Sequence, residues 1–171
     1  SSDLPLPAQQ PQALPLHAPP RSTVDDQAIA NAVALIAASR RPLILAGGGA
    51  KHAGKALAAL AERLDAPVAT TANGRGLMHG HALNVPASPS LKAVRALMAD
   101  ADLVIALGTE FGPTDYDMYA DGGFVLPTRL IRIDIDADQL RRRDATVSIK
   151  GDAGEALAAL LTATAHLPPS S

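Results

Sequence analysis

Cysteine and tryptophan are absent from this 171-residue chain, and two phenylalanines and two tyrosines hold its aromatic content to 2%. Without cysteine there is no disulfide framework, no thiolate zinc site and no thiol nucleophile, although the redox compartment stays open. So few aromatics leave the core to Ala, Leu, Ile and Val, which lets helices lie close to a sheet but supplies few large anchors. Neither sign of charge dominates: the formal net charge is −2 and the pI about 6.2. That excludes the basic footprint of a nucleic-acid or membrane-surface protein. No apolar run approaches the ~20 residues of a membrane span, and the N-terminal stretch lacks a signal-peptide core. These absences predict a soluble, cytoplasmic protein with neither nucleic acid nor membrane as partner. An initiator methionine is also missing, and the opening Ser1-Ser2 with its Pro/Gln/Leu string reads as part of a longer protein.

What is present begins with a proline-rich stretch. Pro5, Pro7, Pro11, Pro15, Pro19 and Pro20 bar regular hydrogen bonding over residues 1–21 and favour an extended interdomain linker. Ser22-Thr23-Val24-Asp25 has the spacing of a helix cap followed by an acid. Ile29, Ala32, Val33 and Ile36 continue at helical intervals, which predicts a helix over about 24–38. The stretch from Arg41 to Leu64 organises the rest. A short apolar run, 43–46, ends in Gly47-Gly48-Gly49, and Ala53, Ala56, Leu57, Leu60, Ala61 and Leu64 follow as a helical stripe.

The same unit then recurs. Strands are predicted at 68–71, 103–107, 129–135 (Ile131, Ile133 and Ile135 alternating with Arg132 and Asp134) and 146–149, with a short one within 81–85. Ser88-Pro89 reads as the start of a helix carrying Leu91, Val94, Leu97 and Met98. A short helix is expected over 136–142, and a last one, capped by Asp152, carries Ala153, Ala156, Leu157, Leu160 and Leu161. Residues 109–127 form the longest loop and 166–171 a frayed tail. This alternation requires a parallel sheet with right-handed crossovers. The expected fold is α/β: a three-layer α/β/α, Rossmann-like, doubly wound domain over 22–165 with five or six parallel strands. Its ligand crevice should lie at the strands' C-terminal ends, where 47–51, 71–75, 108–112 and 134–136 meet.

The triple glycine admits two readings. It could cradle a pyrophosphate, whose helix-terminus attraction is worth ~0.3–1 kcal/mol, or it could be a tight strand-to-helix turn. It has neither the G-x-G-x-x-G spacing nor a Gly-Lys-Ser/Thr continuation. Asp134-Ile135-Asp136-Ala137-Asp138 departs from a calcium loop at Gln139 and Ala145. Asp134 could bond a ribose hydroxyl, and Asp136 reads as a helix cap. His79 and His81 read as an exposed loop pair, and His52 as a phosphate contact or a solvent-facing residue. Asp115, Asp117 and Asp121 with Tyr116 and Tyr119 read as a partner-facing or solvated loop. No nucleophile–base–orienter set is visible, so the chain looks built to bind and to pack.

Four segments carry a family resemblance. Arg41 to Gly49, Pro67 to Gly76, Ala101 to Thr109 and Leu130 to Asp136 fall in the same order as in the middle domain of thiamine-diphosphate-dependent enzymes, the group of acetolactate synthases, glyoxylate carboligases and 2-oxo-acid decarboxylases. The resemblance covers roughly residues 22–163. Within the long loop, Tyr116-Asp117-Met118-Tyr119 looks most like 5-guanidino-2-oxopentanoate decarboxylases.

The resemblance implies a parent enzyme whose first and third domains carry thiamine diphosphate, an activating Glu and a Gly-Asp-Gly…Asn magnesium motif. Gly151-Asp152 is followed by Ala153, so that motif is missing, and the chain alone is expected to be inactive. The implied partners are those N- and C-terminal domains, in a homodimer or homotetramer. In such enzymes the middle domain binds FAD, binds an adenine nucleotide, or is empty. By resemblance Gly47, Gly48, Gly49, Thr71, Ala72, Gly108, Thr109, Asp134 and Asp152 lie at flavin contacts. Acetolactate synthases carry arginines where this chain has Glu110 and Thr114. Losing two charge-assisted hydrogen bonds, at ~1.5–3 kcal/mol each, weighs against tight flavin binding and suggests a vestigial site. The alternative is a stand-alone nucleotide-binding module, flavin- or NAD-dependent, on the same fold.

Overall fold

The computed structural model describes residues 24–111 and 127–168. The linker reading of 1–21, the long-loop aspartates and tyrosines, Thr114 and the last three residues lie outside them. The elements run α1 (Asp26–Ala38), β1 (Pro42–Ala46), α2 (Gly54–Leu64), β2 (Val68–Thr70), β3 (Asn84–Val85), α3 (Lys92–Asp100), β4 (Leu103–Leu107), β5 (Leu130–Asp134), α4 (Ala137–Arg141), β6 (Val147–Lys150) and α5 (Ala153–Ala163).

The described strands form one sheet in the order β3-β2-β1-β4-β5-β6, and every pairing is parallel. This is the expected α/β, Rossmann-like fold, and its order reverses between β1 and β4. The continuous apolar runs explain the centre: all five residues of β1 and all five of β4 are buried, as two-sided coverage demands. One face packs Ile44, Ile105 and Ile131 against Ala32, Leu57, Leu60 and Leu157 of α1, α2 and α5. The other packs Leu43, Leu45 and Val104 against Val94, Met98 and Phe111. Fully buried Ala32, Ala61 and Ala156 are what allow α1, α2 and α5 to approach so closely.

The structure moves several local expectations. Asp25 itself caps α1, its Oδ1 accepting from the Gln27 N–H at 3.1 Å, so the helix starts at Asp26. Pro89 does not open α3. The Ser88 hydroxyl lies 2.9 Å from that of Ser90 in a turn, and the helix begins at Lys92 with no side-chain cap. Only Val94 and Met98, one turn apart, face the sheet. Leu91 and Leu97 are exposed, because Leu91 precedes the helix and Leu97 is turned off that stripe. Ile135 lies past the end of β5 and is 70% exposed, whereas Arg132 is buried.

At one end of α5, the Val24 side chain packs so closely on Gly151 that a Cβ there would sit 2.7 Å from it. At the other end Arg63 donates to the carbonyls of Thr164 and Leu167. Leu167 also packs on the core, so the chain is held one residue beyond His166 and does not fray there.

Asp102 joins α1 to β1. Its carboxylate accepts from Ser39 Oγ at 2.5 Å, Arg40 N at 2.8 Å and Arg41 N at 3.1 Å. Burial pushes this carboxyl up, but those hydrogen bonds and the Arg41 charge together hold it below the ordinary aspartate value. A depressed folded-state pKa contributes stability that is present above the unfolded value and lost as pH falls through the folded one. Asp102→Asn is therefore expected to cost roughly 1 kcal/mol near neutrality. That difference from the parent chain should shrink as the solution is acidified through the aspartate range. Urea titrations of both chains across that range check it, and a gap constant with pH would contradict it.

Candidate nucleotide crevice

Two tight turns crown the centre of the sheet. β1 leads into Gly47 and a 3-10 turn, Gly48–Ala50, and β2 leads into another, Ala72–Gly74. α2 starts only at Gly54, four residues later than a helix following the glycines directly would. The glycine amides are spent within the backbone: Gly47 N–H donates to Leu107 O at 2.8 Å, Gly49 N–H to Gly108 O at 3.1 Å, and Ala50 N–H to Gly47 O at 3.1 Å.

Close approach, more than ligand contact, explains the residue type. A Cβ on Gly47 would lie 2.3 Å from Gly108 O, and one on Gly49 2.8 Å from Gly108 Cα. Gly108 itself has φ +53, and its Cβ would lie 2.6 Å from Gly49 Cα. The ends of β1 and β4 are locked backbone to backbone at the point where the strand order reverses.

Beside this lock, at the ends of β4, β5 and β6, lies a crevice of about 370 Å³. It brings together Gly49, Gly108, Asp134 and Asp152 of the sequence-predicted set and adds His52, Glu110 and Gln139. Gly47 and Gly48 lie behind it in the turn. Thr71 is buried and accompanies Ala72 on the far side of the glycines, at the end of β2. Thr109 is buried beneath the β4 loop, where its carbonyl accepts from Arg132 Nη2 at 3.3 Å.

The crevice is acidic. Glu110, Asp134, Asp136 and Asp152 line it, with His52 the one basic side chain among its described lining residues. His52 Nε2 lies 2.6 Å from Asp152 Oδ2, so its partner is a carboxylate. Asp152 also caps α5, its Oδ1 accepting from the N–H groups of Gly154 (2.9 Å) and Glu155 (3.2 Å). Burial raises the Asp152 carboxyl, but the Glu155 and Gly154 amides and His52 outweigh it and hold the group below the ordinary value. Asp152→Ala should cost about 1 kcal/mol of stability through the lost cap, read by thermal or urea unfolding. Asp152→Asn, which keeps an acceptor oxygen, should recover most of it. Asp136 caps α4 as expected, accepting from Asp138 N–H at 2.8 Å, and Asp134 Oδ1 accepts from Asp136 N–H at 2.9 Å.

The two loop histidines separate. His81 Nδ1 accepts from Leu83 N–H at 3.1 Å and its Nε2 meets Glu62 at 2.8 Å, leaving only His79 exposed. No group of three His, Asp or Glu able to hold a metal occurs among the described residues.

Sequence reasoning missed three residues. Arg132, taken as the polar member of an alternating strand, is buried; Nη1 donates to Gln139 O at 2.7 Å and the guanidinium lies 5.0 Å from the Phe111 ring centroid. Phe111 is buried at φ +52. Gln139 keeps a buried Oε1 with no hydrogen-bond partner. The signal for Arg132 was available: a sheet covered on both faces buries both sides of every central strand.

Residues 29–160 match the family model described as "Thiamine pyrophosphate enzyme, central domain". The chain is 42% identical over 145 residues to the probable 2-ketoarginine decarboxylase of Pseudomonas aeruginosa, covering 84% of this chain and 25% of that protein. It is 36% identical to the probable acetolactate synthase large subunit of Methanocaldococcus jannaschii, covering 79% of this chain and 24% of that one. Among solved structures, a Mycobacterium smegmatis protein assigned as a thiamin diphosphate-dependent enzyme superposes with a TM-score of 0.71 at 28% identity, over 91% of this chain and 31% of that one. The chain thus spans about a quarter of the length of the curated relatives it matches. Fold, motif order and family match agree, and the chain belongs to the thiamine pyrophosphate enzyme central-domain family.

Proposed function

We propose that this chain is the non-catalytic central domain of a thiamine-diphosphate-dependent enzyme acting on 2-oxo acids, with 5-guanidino-2-oxopentanoate (2-ketoarginine) the first substrate to test. The observation that carries the reading is the central-domain match over residues 29–160, in a chain that spans about a quarter of its relatives' length. The substrate choice rests on the 42% identity to a protein named for 2-ketoarginine. The activating Glu, the thiamine diphosphate and the Mg2+ would belong to flanking domains, which would be this domain's partners in a dimer or tetramer.

The described crevice residues do not fit a pyrophosphate. The Gly47 and Gly49 amides that would cradle one are bonded to carbonyls, and four carboxylates face the space. We therefore assign Gly47–Gly49, Thr71, Ala72, Gly108, Thr109, Asp134 and Asp152 to a vestigial nucleotide site, in which the glycines now pack the turns and Asp152 caps α5. The test is to purify the protein encoded by the intact parent reading frame and measure CO2 release from 2-ketoarginine and from pyruvate. Turnover that needs thiamine diphosphate and Mg2+, with none from the 171-residue chain, is the expected result. A reading frame with no upstream Glu-bearing domain and no downstream Gly-Asp-Gly…Asn motif overturns the assignment. A 450-nm flavin band in the purified chain would overturn the vestigial site.

A further inference from the structure

A second crevice, of about 310 Å³, opens at the ends of β2 and β3. The turn at 48–50 abuts the turn at 72–74, where a Cβ on Gly48 would lie 3.1 Å from Asn73 Cβ. The acidic crevice therefore lies on one side of the glycine turns and this one on the other. Their walls differ in charge. Arg75, His79, Asn84 and Ser88 line the second crevice together with apolar Met78 and Val85, and no aspartate or glutamate is among its described lining residues.

Arg75 and His79, both exposed on the crevice wall, differ from several of their counterparts among the described residues. His52 and His81 are each held by a carboxylate, and Arg41, Arg63, Arg132 and Arg141 each have acceptors. The Arg75 and His79 side chains have no hydrogen bond or ion pair among the described residues, the His79 backbone N–H donating to Gly76 O at 3.3 Å. A guanidinium and an imidazole with no partner, in a concave site of ligand size with neutral donors beside them and an apolar floor, suit a compact anion.

We propose that this crevice binds a small organic anion, a metabolite bearing one carboxylate or phosphate, with Arg75 and His79 as its contacts. The proposal does not rest on the enzyme assignment, although Ala72, placed above in the vestigial nucleotide site, also lines this crevice.

The test is to titrate the 15N-labelled 171-residue chain with sodium pyruvate and, separately, with inorganic phosphate, at ionic strength held constant with chloride. Saturable amide shifts at Gly76, His79, Gly80 and Ala87 are expected with at least one probe. Pyruvate alone would identify a carboxylate ligand, and phosphate alone a phosphate ligand. Arg75→Gln should weaken binding at least about tenfold and His79→Gln by a smaller factor. Arg142→Gln, at an exposed arginine beyond α4, should leave it unchanged. Spectral dispersion verifies that each variant folds, and the His79 variant decides the matter should Arg75→Gln not fold. No saturable shift with either probe, or affinity that survives both substitutions, overturns the proposal.

Discussion

Gly108→Ala is expected to lower the free energy of unfolding by about 3 kcal/mol. Two costs combine. The residue sits at φ +53, where a side chain costs ~1–2 kcal/mol. The new Cβ would also lie 2.6 Å from Gly49 Cα and 2.8 Å from Gly49 C. These are backbone atoms that cannot swing aside, so the strand ends must part, and overpacking of this kind costs ~1–3 kcal/mol. Gly76→Ala isolates the first cost, since Gly76 has φ +91 but nothing within 4 Å of its Cβ position. Urea denaturation of the two variants against the parent chain should separate them by more than 1 kcal/mol. Equal losses would mean that the contact between the strand ends is slack in solution.

Arg132→Met should cost roughly 3 kcal/mol. The methionine keeps the aliphatic stem but leaves the Gln139 and Thr109 carbonyls without the guanidinium that bonds them, and hydrogen bonds to a charged group are worth ~1.5–3 kcal/mol each. It also removes the cation beside the Phe111 ring, a further ~1 kcal/mol where desolvated. Arg132→Lys should recover little, because one ammonium cannot reproduce a planar fork that reaches two carbonyls and stacks on a ring. A second readout distinguishes local from global loss: amide exchange at Phe111 should accelerate more than at Ile105 in β4, since Arg132 pins the β4 loop and not the strand. Uniform acceleration would show that Arg132 supports the whole sheet equally.

What was legible in the sequence follows from period and punctuation. β1 and β4 were readable because an unbroken apolar run between glycine and helix signals has one stable home, the middle of a sheet covered on both faces. α2 and α5 were readable from their stripes, and Asp136 and Asp152 from their positions just before a helix. Arg132 was misread because alternation along 131–135 mimics a half-exposed strand, and only the second layer of helix and loop reveals that its polar face is covered. The glycine turn was half legible. Three glycines announce a constraint, but the sequence does not tell a ligand from another stretch of backbone as its cause. The partner proved to be Gly108, sixty residues along the chain and itself a glycine for the same reason. The second crevice was not legible because its charge pattern needs Arg75, His79, Asn84 and Ser88 to come from a loop, a two-residue strand and the turn before α3.

The contacts at the two ends of α5 fix a direction of travel for the chain. Val24 meets Gly151 at the crevice end of the sheet, while Leu167 is tied by Arg63 where α2 closes, at the opposite end. Val24 and Leu167 are thus set apart by about the length of α5, on the order of 16 Å at 1.5 Å per residue. A pull applied between them would load α1 and α5 lengthwise, in shear against the sheet, instead of peeling one strand from its edge.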